Sequence, residues 1–292
     1  MQNVKVGAHV SIAGGLDTAF ERVKRIGGNC MQIFSSSPRS WTLPDISEES
    51  CAKFISEKNV SGIGPVYFHA SYLINLAANG YVGELSKKAL VKDLEIAESL
   101  GMNGVIVHTG SFKNGTKDAP YQFETIEEIQ YQKLIEAIQG VLEISPDTSL
   151  MLENAGTRKI GWSMNELFTL IKHVNDHRLK ICLDTCHLHA AGYDLSTEEK
   201  YQDFFDHFDK EIGLEKLELI HLNDSKDSVG SFRDRHENIL QGQIPKKVFD
   251  NLFTFSQTKN LPFILEVPGF DKKGPDDKNI QIVKEIVSRN EK

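Results

Sequence analysis

Histidine or carboxylate side chains follow six of the short, mostly apolar segments in this 292-residue sequence. One such segment is Val66-Tyr67-Phe68, and the others have the same form. Imidazole nitrogens and carboxylate oxygens are the donor atoms that divalent transition-metal ions take in proteins. The pattern therefore predicts metal chemistry at six residues: His69, His108, Glu153, Asp184, His221 and Glu266.

Three further candidate ligands stand close to these segments. His187 follows Asp184 by three positions, and Asp234 and His236 flank Arg235. We predict that all three lie in loops. One zinc ion takes about four ligands, and a catalytic ion leaves one position open. Nine candidate ligands therefore predict a cluster of two or three ions that carboxylates bridge.

For any one of the six residues, a satisfied polar side chain at the end of a strand is the simpler interpretation. Six together change the balance, because carboxylates crowded at one place repel each other and are costly to desolvate without a cation. The remaining histidines divide into two kinds. His173, His177 and His207 are predicted on solvated helix faces. His9 and His189 are predicted to orient a ligand through a hydrogen bond.

Alternating strands and helices must position these ligands. Short β-rich segments are centred near Val4, Met31, Val66, Val105, Leu150, Lys180, Leu219 and Phe263. Helical apolar spacing separates them, for instance over residues 85–100 and 123–144. Eight such units predict an α/β fold, a single (β/α)₈ TIM barrel over residues 1–292, with an open doubly wound sheet as the alternative. In a barrel the carboxyl ends of the strands converge, so the metal site is expected there.

Composition limits the classes of function. The formal net charge is −8, which counts against nucleic-acid binding unless bound cations reverse the sign locally. Apolar runs are too short to span a bilayer, and the amino terminus lacks the layout of a secretory signal. A cytoplasmic protein is expected, associated with the nucleoid if prokaryotic. The four cysteines are expected to be free thiols, with structural roles favoured over zinc binding for Cys182 and Cys186.

Several longer motifs occur together in this chain. Residues 182–187 read CLDTCH and are followed by AAGYD at 190–194, HLNDSK at 221–226 and DRHENI at 234–239. With GAHVS at 7–11 and LEVP at 265–268, they extend over nearly the whole chain. In these motifs and their order the sequence resembles the endonuclease IV family of apurinic/apyrimidinic endonucleases.

The resemblance implies a TIM barrel with three zinc ions, with manganese as a possible substitute in one site. His69, His108 and Glu153 would hold the first ion. Glu153 would bridge to a second ion held also by Asp184, His221 and Glu266, which assigns Glu153 a role in catalysis. His187, Asp234 and His236 would hold the third. Three residues would contact DNA: Arg39, Tyr72 and Leu73.

The implied reaction is hydrolysis of the phosphodiester bond 5′ to an abasic site in duplex DNA, leaving a 3′-hydroxyl and a 5′-deoxyribose phosphate. A water shared by two zinc ions would ionise near neutral pH and supply the nucleophile. Tyr72 and Leu73 would replace lost base stacking while Arg39 contacts the DNA backbone. Two alternatives stay open: a xylose-isomerase-like sugar isomerase or epimerase, and a non-catalytic binder of damaged DNA. A monomer is expected, because nothing in the sequence demands a dimer.

The sequence departs from the family pattern at three places. Leu240 stands where relatives often have glycine, Thr109 where proline is common, and residues 35–37 are serines in place of a more amide-rich stretch. These positions include none of the predicted metal ligands. They bear on loop geometry and DNA contacts.

Overall fold

The computed structural model describes residues 4–112 and 129–290. In chain order the strands are β1 (Val6–His9), β2 (Met31–Phe34), β3 (Val66–His69), β4 (Gly104–His108), β5 (Ser149–Glu153), β6 (Leu179–Asp184), β7 (Leu217–His221), β8 (Asp224–Ser225), β9 (His236–Glu237) and β10 (Phe263–Leu265). Within the described residues, eight of them form a closed parallel barrel in the order β1-β10-β7-β6-β5-β4-β3-β2. The predicted TIM barrel is confirmed, and the open sheet is wrong because β1 pairs with both β2 and β10. β8 and β9 form a separate antiparallel pair.

Helices separate the barrel strands. They are α1 (Thr18–Arg25), α2 (Glu48–Ser61), α3 (Gly80–Ser99), α4 (Ile129–Ile144), α5 (Met164–Val174), α6 (Thr185–Ala191), α7 (Glu198–Ile212), α8 (Lys246–Thr254) and α9 (Asp277–Asn290). The helix predicted over 85–100 starts five residues earlier, because its exposed first turn lies outside the buried apolar stripe. Of the helix predicted over 123–144, residues 123–128 lie outside the described residues. No helix in the described ranges is long and apolar enough to cross a membrane.

Side-chain alternation along the strands separates the barrel interior from the layer under the helices. One buried cluster lies inside the barrel: Cys30, Tyr67, Ile106, Met151, Cys182, Leu219 and Ile264. Strand residues of opposite parity, such as Phe68 and Leu152, belong to the larger core packed against the helices. Because the side-chain period of a strand is two, the next inward position after each interior residue lies at the barrel mouth. The apolar layer thus determines which residues form the polar layer above it.

The cysteines support packing. Cys30, Cys182 and Cys186 are buried, Cys51 is half-buried, and all four are free thiols. Burial raises the pKa of Cys182 and of Cys186 to about 12, so both are neutral near pH 7. Metal binding requires the thiolate, so the preference for structural thiols agrees with the environment of these side chains.

Candidate metal centre

Glu153 lies at the centre of the polar layer and contacts four of the predicted histidines. Its Oε2 is 3.2 Å from His69 Nε2 and 3.3 Å from His108 Nε2. Its Oε1 is 3.1 Å from His221 Nδ1 and 3.3 Å from His187 Nδ1. The side chain is 1% exposed. Oε2 of this buried carboxylate therefore faces His69 and His108, whereas Oε1 faces His221 and His187, so the two oxygens contact different histidines, as those of a bridging ligand would.

A second group forms around His221. Its Nδ1 is 3.5 Å from Glu266 Oε2 and 4.0 Å from Asp184 Oδ2, in addition to its contact with Glu153. The ligand atoms of these four residues all lie within 4.8 Å of one another, as do those of His69, His108 and Glu153. The carboxyl ends of six strands thus meet as predicted.

The third group consists of His187, Asp234 and His236. Asp234 Oδ1 is 3.1 Å from His187 Nε2 and 3.3 Å from His236 Nε2. Asp184 joins this group to the second, because its Oδ2 is 3.5 Å from His236 Nε2. The prediction that all three residues lie in loops is wrong for two of them. His187 lies in the first turn of α6, where its amide donates to Asp184 Oδ1 at 2.9 Å, and His236 begins β9.

Four of the imidazole rings are each held in orientation by a hydrogen bond from one ring nitrogen. In each ring this nitrogen donates to an oxygen, so the other nitrogen of the neutral ring presents a lone pair to the carboxylates. At His187 the donating Nδ1 also lies 3.3 Å from Glu153 Oε1, and Nε2 is the nitrogen left for the third group. The bonds are His69 Nδ1 to Ala70 O (2.7 Å), His187 Nδ1 to Asn154 O (2.9 Å), His221 Nε2 to Gln32 Oε1 (2.7 Å) and His236 Nδ1 to Glu266 O (3.2 Å).

These donor atoms fit divalent ions. A lone pair and a carboxylate oxygen are both acceptors, so they repel unless a cation or a second proton lies between them. Two ligands of one tetrahedral zinc ion are about 3.3 Å apart, and the separations between His Nε2 or Nδ1 and carboxylate oxygens are mostly 3.1–3.5 Å. The Nε2 atoms of His187 and His236 are buried, and although both lie near Asp234 Oδ1, neither has the geometry of a hydrogen bond to any described residue.

Carboxylates control protonation in the same centre. Burial disfavours the charged form of His236, but Asp184 and Asp234 outweigh it and raise its pKa to about 9. Burial is likewise outweighed at His187 and His221, whose pKa values lie well above the usual range. Neighbouring carboxylates raise both pKa values, and the Cys182 side chain also raises that of His221. Burial dominates at His108 and lowers its pKa to about 4. Without an ion, protons on His187, His221 and His236 balance the carboxylates at neutral pH.

Zinc loading of the metal-depleted chain is therefore expected to release protons. Each of His187, His221 and His236 must give up a proton before its second ring nitrogen can bind zinc, so up to three protons should leave per chain at pH 7.5. Because these pKa values are raised, zinc affinity and activity should fall as the pH drops toward 5. Calorimetric titration in two buffers of different ionisation enthalpy measures the count, and zinc binding without proton release at pH 7.5 would contradict this account.

Comparison with known proteins agrees with this geometry. The family model of the xylose isomerase-like TIM barrel matches residues 20–286. A Halothermothrix orenii protein named probable endonuclease 4 is 37% identical over 286 residues, covering 96% of this chain and 98% of the relative. The crystal structure of endonuclease IV from Thermus thermophilus has a TM-score of 0.82 at 34% identity, covering 98% of this chain and 99% of that one. The chain belongs to the endonuclease IV family.

Likeness of fold extends beyond that family. The crystal structure of a D-tagatose 3-epimerase-like protein has a TM-score of 0.70 at 19% identity and covers 98% of both chains. At this identity the likeness shows a common barrel only. The features that distinguish this chain from the epimerase-like protein are therefore those of its side chains.

In this endonuclease IV family member, Tyr72 and Leu73 lie in the loop after β3, beside the candidate metal centre. Tyr72 is 60% exposed, although its ring centroid is 5.7 Å from that of His69 and 5.4 Å from that of Phe34. Partial burial and the carboxylates of Glu266 and Glu153 raise the pKa of Tyr72 to about 12, so its hydroxyl is neutral. Leu73 is half-buried. An exposed ring supported from below by other rings can stack on an incoming group.

Arg39 is exposed on the loop after β2. Hydrogen bonds to neighbouring elements fix the position of this loop. Ser35 Oγ donates to Asp93 Oδ1 on α3 at 2.5 Å, and Ser71 Oγ donates to the Pro38 carbonyl at 2.8 Å. The serine that departs from the family pattern thus anchors this loop to a buried carboxylate. The second bond joins the loop of Arg39 to the loop of Tyr72.

Three amide side chains that the sequence analysis missed support the ligands. Gln32 Nε2 donates to Glu266 Oε1 at 2.7 Å while its Oε1 accepts from His221. Asn223 Nδ2 donates to Asp184 Oδ2 at 2.7 Å, and Asn154 Oδ1 accepts from the Asp184 amide at 2.6 Å. One signal was available, since Gln32 stands at an inward position of β2, two residues after the interior Cys30.

The other histidines mostly follow their predictions. His9 Nδ1 is 3.1 Å from Glu266 Oε1, so it contacts a candidate ligand as predicted. His189, on α6, instead makes its contact with the backbone of Asp227. His173, His177 and His207 are all exposed, as predicted. The predicted helix is wrong for His177, which lies in the turn between α5 and β6.

The two other residues that depart from the expected pattern, Leu240 and Thr109, lie in loops. Leu240 has a φ of 61°, in the left-handed region that glycine adopts most readily. Thr109 is fully buried, and its carbonyl accepts from the Leu76 amide at 3.1 Å. Neither residue belongs to the ligand groups.

Proposed function

We propose that this protein is a zinc-dependent endonuclease that hydrolyses the phosphodiester bond 5′ to abasic sites in duplex DNA. The products would be a 3′-hydroxyl and a 5′-deoxyribose phosphate. One observation carries the proposal: three contiguous groups of inward-facing donor atoms, joined through Glu153 and Asp184, lie at the barrel mouth of an endonuclease IV family chain.

Each group has the donor chemistry of one zinc site. His69, His108 and Glu153 would hold the first ion. Glu153, Asp184, His221 and Glu266 would hold the second, and His187, Asp234 and His236 the third. Bound zinc supplies a water activated near neutral pH and Lewis-acid stabilisation of charge on the phosphate oxygens. Manganese in one position is compatible with the same nitrogen and oxygen donors.

The chain's own residues set the charge and geometry of this centre. Gln32 and His9 hold Glu266 Oε1, and Asn223 holds Asp184 Oδ2, which restricts the orientation of both carboxylates. Three divalent ions would outweigh the four ligand carboxylates, so the mouth would attract phosphate despite the net charge of −8.

The loops after β2 and β3 would engage the DNA. Tyr72 and Leu73 would fill the space of the missing base, and Arg39 would pair with a phosphate. Turning a nucleotide out of the duplex costs a few kcal/mol, and less where no base is stacked. Selectivity for abasic sites then follows from the lower cost of bringing such a nucleotide to the metal centre.

Cleavage of a defined duplex tests the function. The substrate carries one tetrahydrofuran abasic analogue, which cannot undergo β-elimination, and is incubated with zinc-loaded protein with and without chelator. A chelator-sensitive cut on the 5′ side that leaves a 3′-hydroxyl is the expected result. An intact duplex after incubation with protein shown to hold its metals would contradict the proposal, and ketose sugars would be the next substrates to try.

A non-catalytic binder of damaged DNA would need none of the three ligand groups. Binding relies on phosphate contacts and stacking, whereas nine convergent donor atoms serve to hold ions. The same duplex separates the two cases, because a binder would retard the DNA in a gel without cutting it.

Replacing Tyr72 by alanine is expected to weaken cleavage about 10- to 100-fold in kcat/KM, since stacking of one ring on a nucleotide contributes about 1–3 kcal/mol. Zinc content should stay at the parent value, because the hydroxyl and ring are not among the ligand atoms. Initial rates at subsaturating abasic duplex measure the effect. The matched control is Tyr81→Ala, which removes an even more exposed tyrosine from the first turn of α3. Equal rates for the two variants would refute the stacking role.

A further inference from the structure

Asp234 and His236 differ from the other proposed ligands in what holds them. Six ligands stand on or directly after barrel strands, and His187 lies in the helix that follows β6. Asp234 lies instead in the segment 226–235 between β8 and β9, which we name the hairpin loop, and its side chain is 39% exposed. The hydrogen bonds between barrel strands do not fix the position of Asp234, because it lies outside the barrel. The third group therefore depends on contacts of the hairpin loop.

Phe232, two residues before Asp234, has an unusual backbone conformation. Its φ is 52°, which bulky side chains rarely adopt. Its amide donates to the Ala190 carbonyl at 2.9 Å. The ring centroid is 5.4 Å from that of Trp162, edge on, and the Arg158 guanidinium lies 4.5 Å above the ring. Strained backbone persists only where surrounding contacts hold it, and an edge-on ring pair and a cation over a ring are both favourable contacts.

Arg158 and Trp162 belong to residues 154–163, the segment between β5 and α5 that we name the β5 loop. This loop is packed directly against the third group. A Cβ added to Gly156 would lie 2.9 Å from His187 Cδ2 and 3.4 Å from Asp234 Cβ. The loop is itself closed, because the Ala155 amide donates to the Gly161 carbonyl at 3.0 Å. The β5 loop can therefore act as a rigid surface against which the third group packs.

Among the described residues, the hydrogen bonds of the hairpin loop go to α6 and to the hairpin itself, and none goes to the β5 loop. The Gly230 amide donates to the His189 carbonyl on α6 at 3.0 Å. Arg235 donates to both oxygens of Asp227, at 2.7 and 2.6 Å, and the Lys226 amide donates to the Arg235 carbonyl at 3.0 Å. These bonds join the two sides of the hairpin loop to each other. They leave its distance from the β5 loop undetermined.

We infer that Arg158, Trp162 and Phe232 form a clamp between the two loops that positions Asp234 and His236 and so sets the affinity of the third metal group. The inference rests on the proposed function, because it concerns the ion assigned to His187, Asp234 and His236. The three clamp residues are positioning residues. They act through the backbone of the hairpin loop on ligands that they do not replace.

Metal retention tests the clamp without any cleavage assay. Zinc per chain is measured by mass spectrometry after equilibration of purified protein with a graded series of chelator concentrations. Phe232→Gly removes the ring but suits a φ of 52°, so backbone strain cannot explain a loss. Arg158→Gln removes the cation from the opposite loop and leaves the hairpin sequence intact. Lys159→Gln is the matched control, since it neutralises the exposed neighbour of Arg158. Asp234→Asn marks which ion belongs to the third group.

One ion should leave Phe232→Gly at a chelator concentration about tenfold lower than for the parent, and Arg158→Gln should show a smaller shift in the same direction. The other ions and Lys159→Gln should follow the parent. A parent that holds three ions with unshifted Phe232→Gly and Arg158→Gln would overturn the clamp alone. A parent that holds fewer ions, or whose zinc content Asp234→Asn leaves unchanged, would contradict the third zinc site and the clamp with it. Thermal melting confirms that each variant is folded.

Discussion

Glu153→Gln is expected to lower kcat/KM for abasic duplex on the order of 10³-fold and to reduce the zinc content of the chain. Glu153 is the residue whose two oxygens face four histidines, at 3.1–3.3 Å. Glutamine keeps the size of the side chain but turns one oxygen into an amide nitrogen, which has no lone pair to give a metal. One of the two groups joined by Glu153 must then lose a ligand.

The loss of charge adds to the loss of a donor atom. Burial opposes the ionised form of Glu153, yet the surrounding histidines hold its pKa well below the usual range. A carboxylate kept ionised inside the barrel balances cations that a neutral amide leaves unbalanced. We therefore expect both metal occupancy and turnover to fall together.

Metal analysis and steady-state kinetics on the same preparation check this result. Glu218→Gln is the matched control, because Glu218 lies near the amino end of β7, away from the metal centre, where it accepts from Tyr67 and pairs with Lys180. It is expected to keep parental zinc content. A Glu153→Gln protein with full zinc and full activity would refute the bridging role.

Removal of the metals is expected to lower Tm as well as to end cleavage. An ion present at about 1,000 times its Kd stabilises the folded chain by about 4 kcal/mol. For a chain of 292 residues, with an unfolding entropy of about 2.1 cal/mol/K per residue, that corresponds to a fall of roughly 7 °C on removal of one such ion. After removal, the carboxylates of Glu153, Asp184 and Glu266 stay together at the barrel mouth, and only protons on neighbouring histidines balance them.

The fall in Tm on metal removal should become larger as the pH rises. In the metal-free chain the pKa of His236 is raised to about 9, so protonation stabilises the fold fully below its unfolded value near 6.5 and is lost as the pH rises toward 9. The pKa values of Glu153 and Glu266 are lowered, so these carboxylates stay ionised throughout that window and add no slope to it. The difference in Tm between loaded and depleted protein should therefore widen from about pH 6 to about pH 9.

The effect of metal removal on Tm is measured from melting curves of loaded, chelator-treated and zinc-restored protein. Metal content is measured on each sample. The control is parent protein treated with chelator already saturated with zinc, which should melt like untreated protein. An unchanged Tm in a sample shown to be metal-free would mean that the ligand groups contribute nothing to stability. Failure of zinc to restore both Tm and cleavage would indicate irreversible damage by the treatment and not a metal effect.

The set of candidate ligands followed from the sequence because the signal for each is encoded locally. Side chains alternate along a strand, so an inward apolar residue such as Ile106 places His108 on the same face. Eight strand and helix units imply a barrel, and a barrel brings the carboxyl ends of its strands together whatever lies between them. His69 and Glu266 are distant in sequence, yet both could be assigned to the site without knowledge of any contact.

Only the tertiary structure decided how the ligands are turned and held. One ring nitrogen each of His69, His187 and His236 donates to a backbone carbonyl, and every residue offers a carbonyl, so no residue type signals these bonds. Gln32 bonds to residues on two strands remote in sequence, and Phe232 meets Arg158 from another loop. Strand parity follows from the backbone alone, whereas these contacts depend on where separate loops come to lie, which is set by packing over the whole barrel.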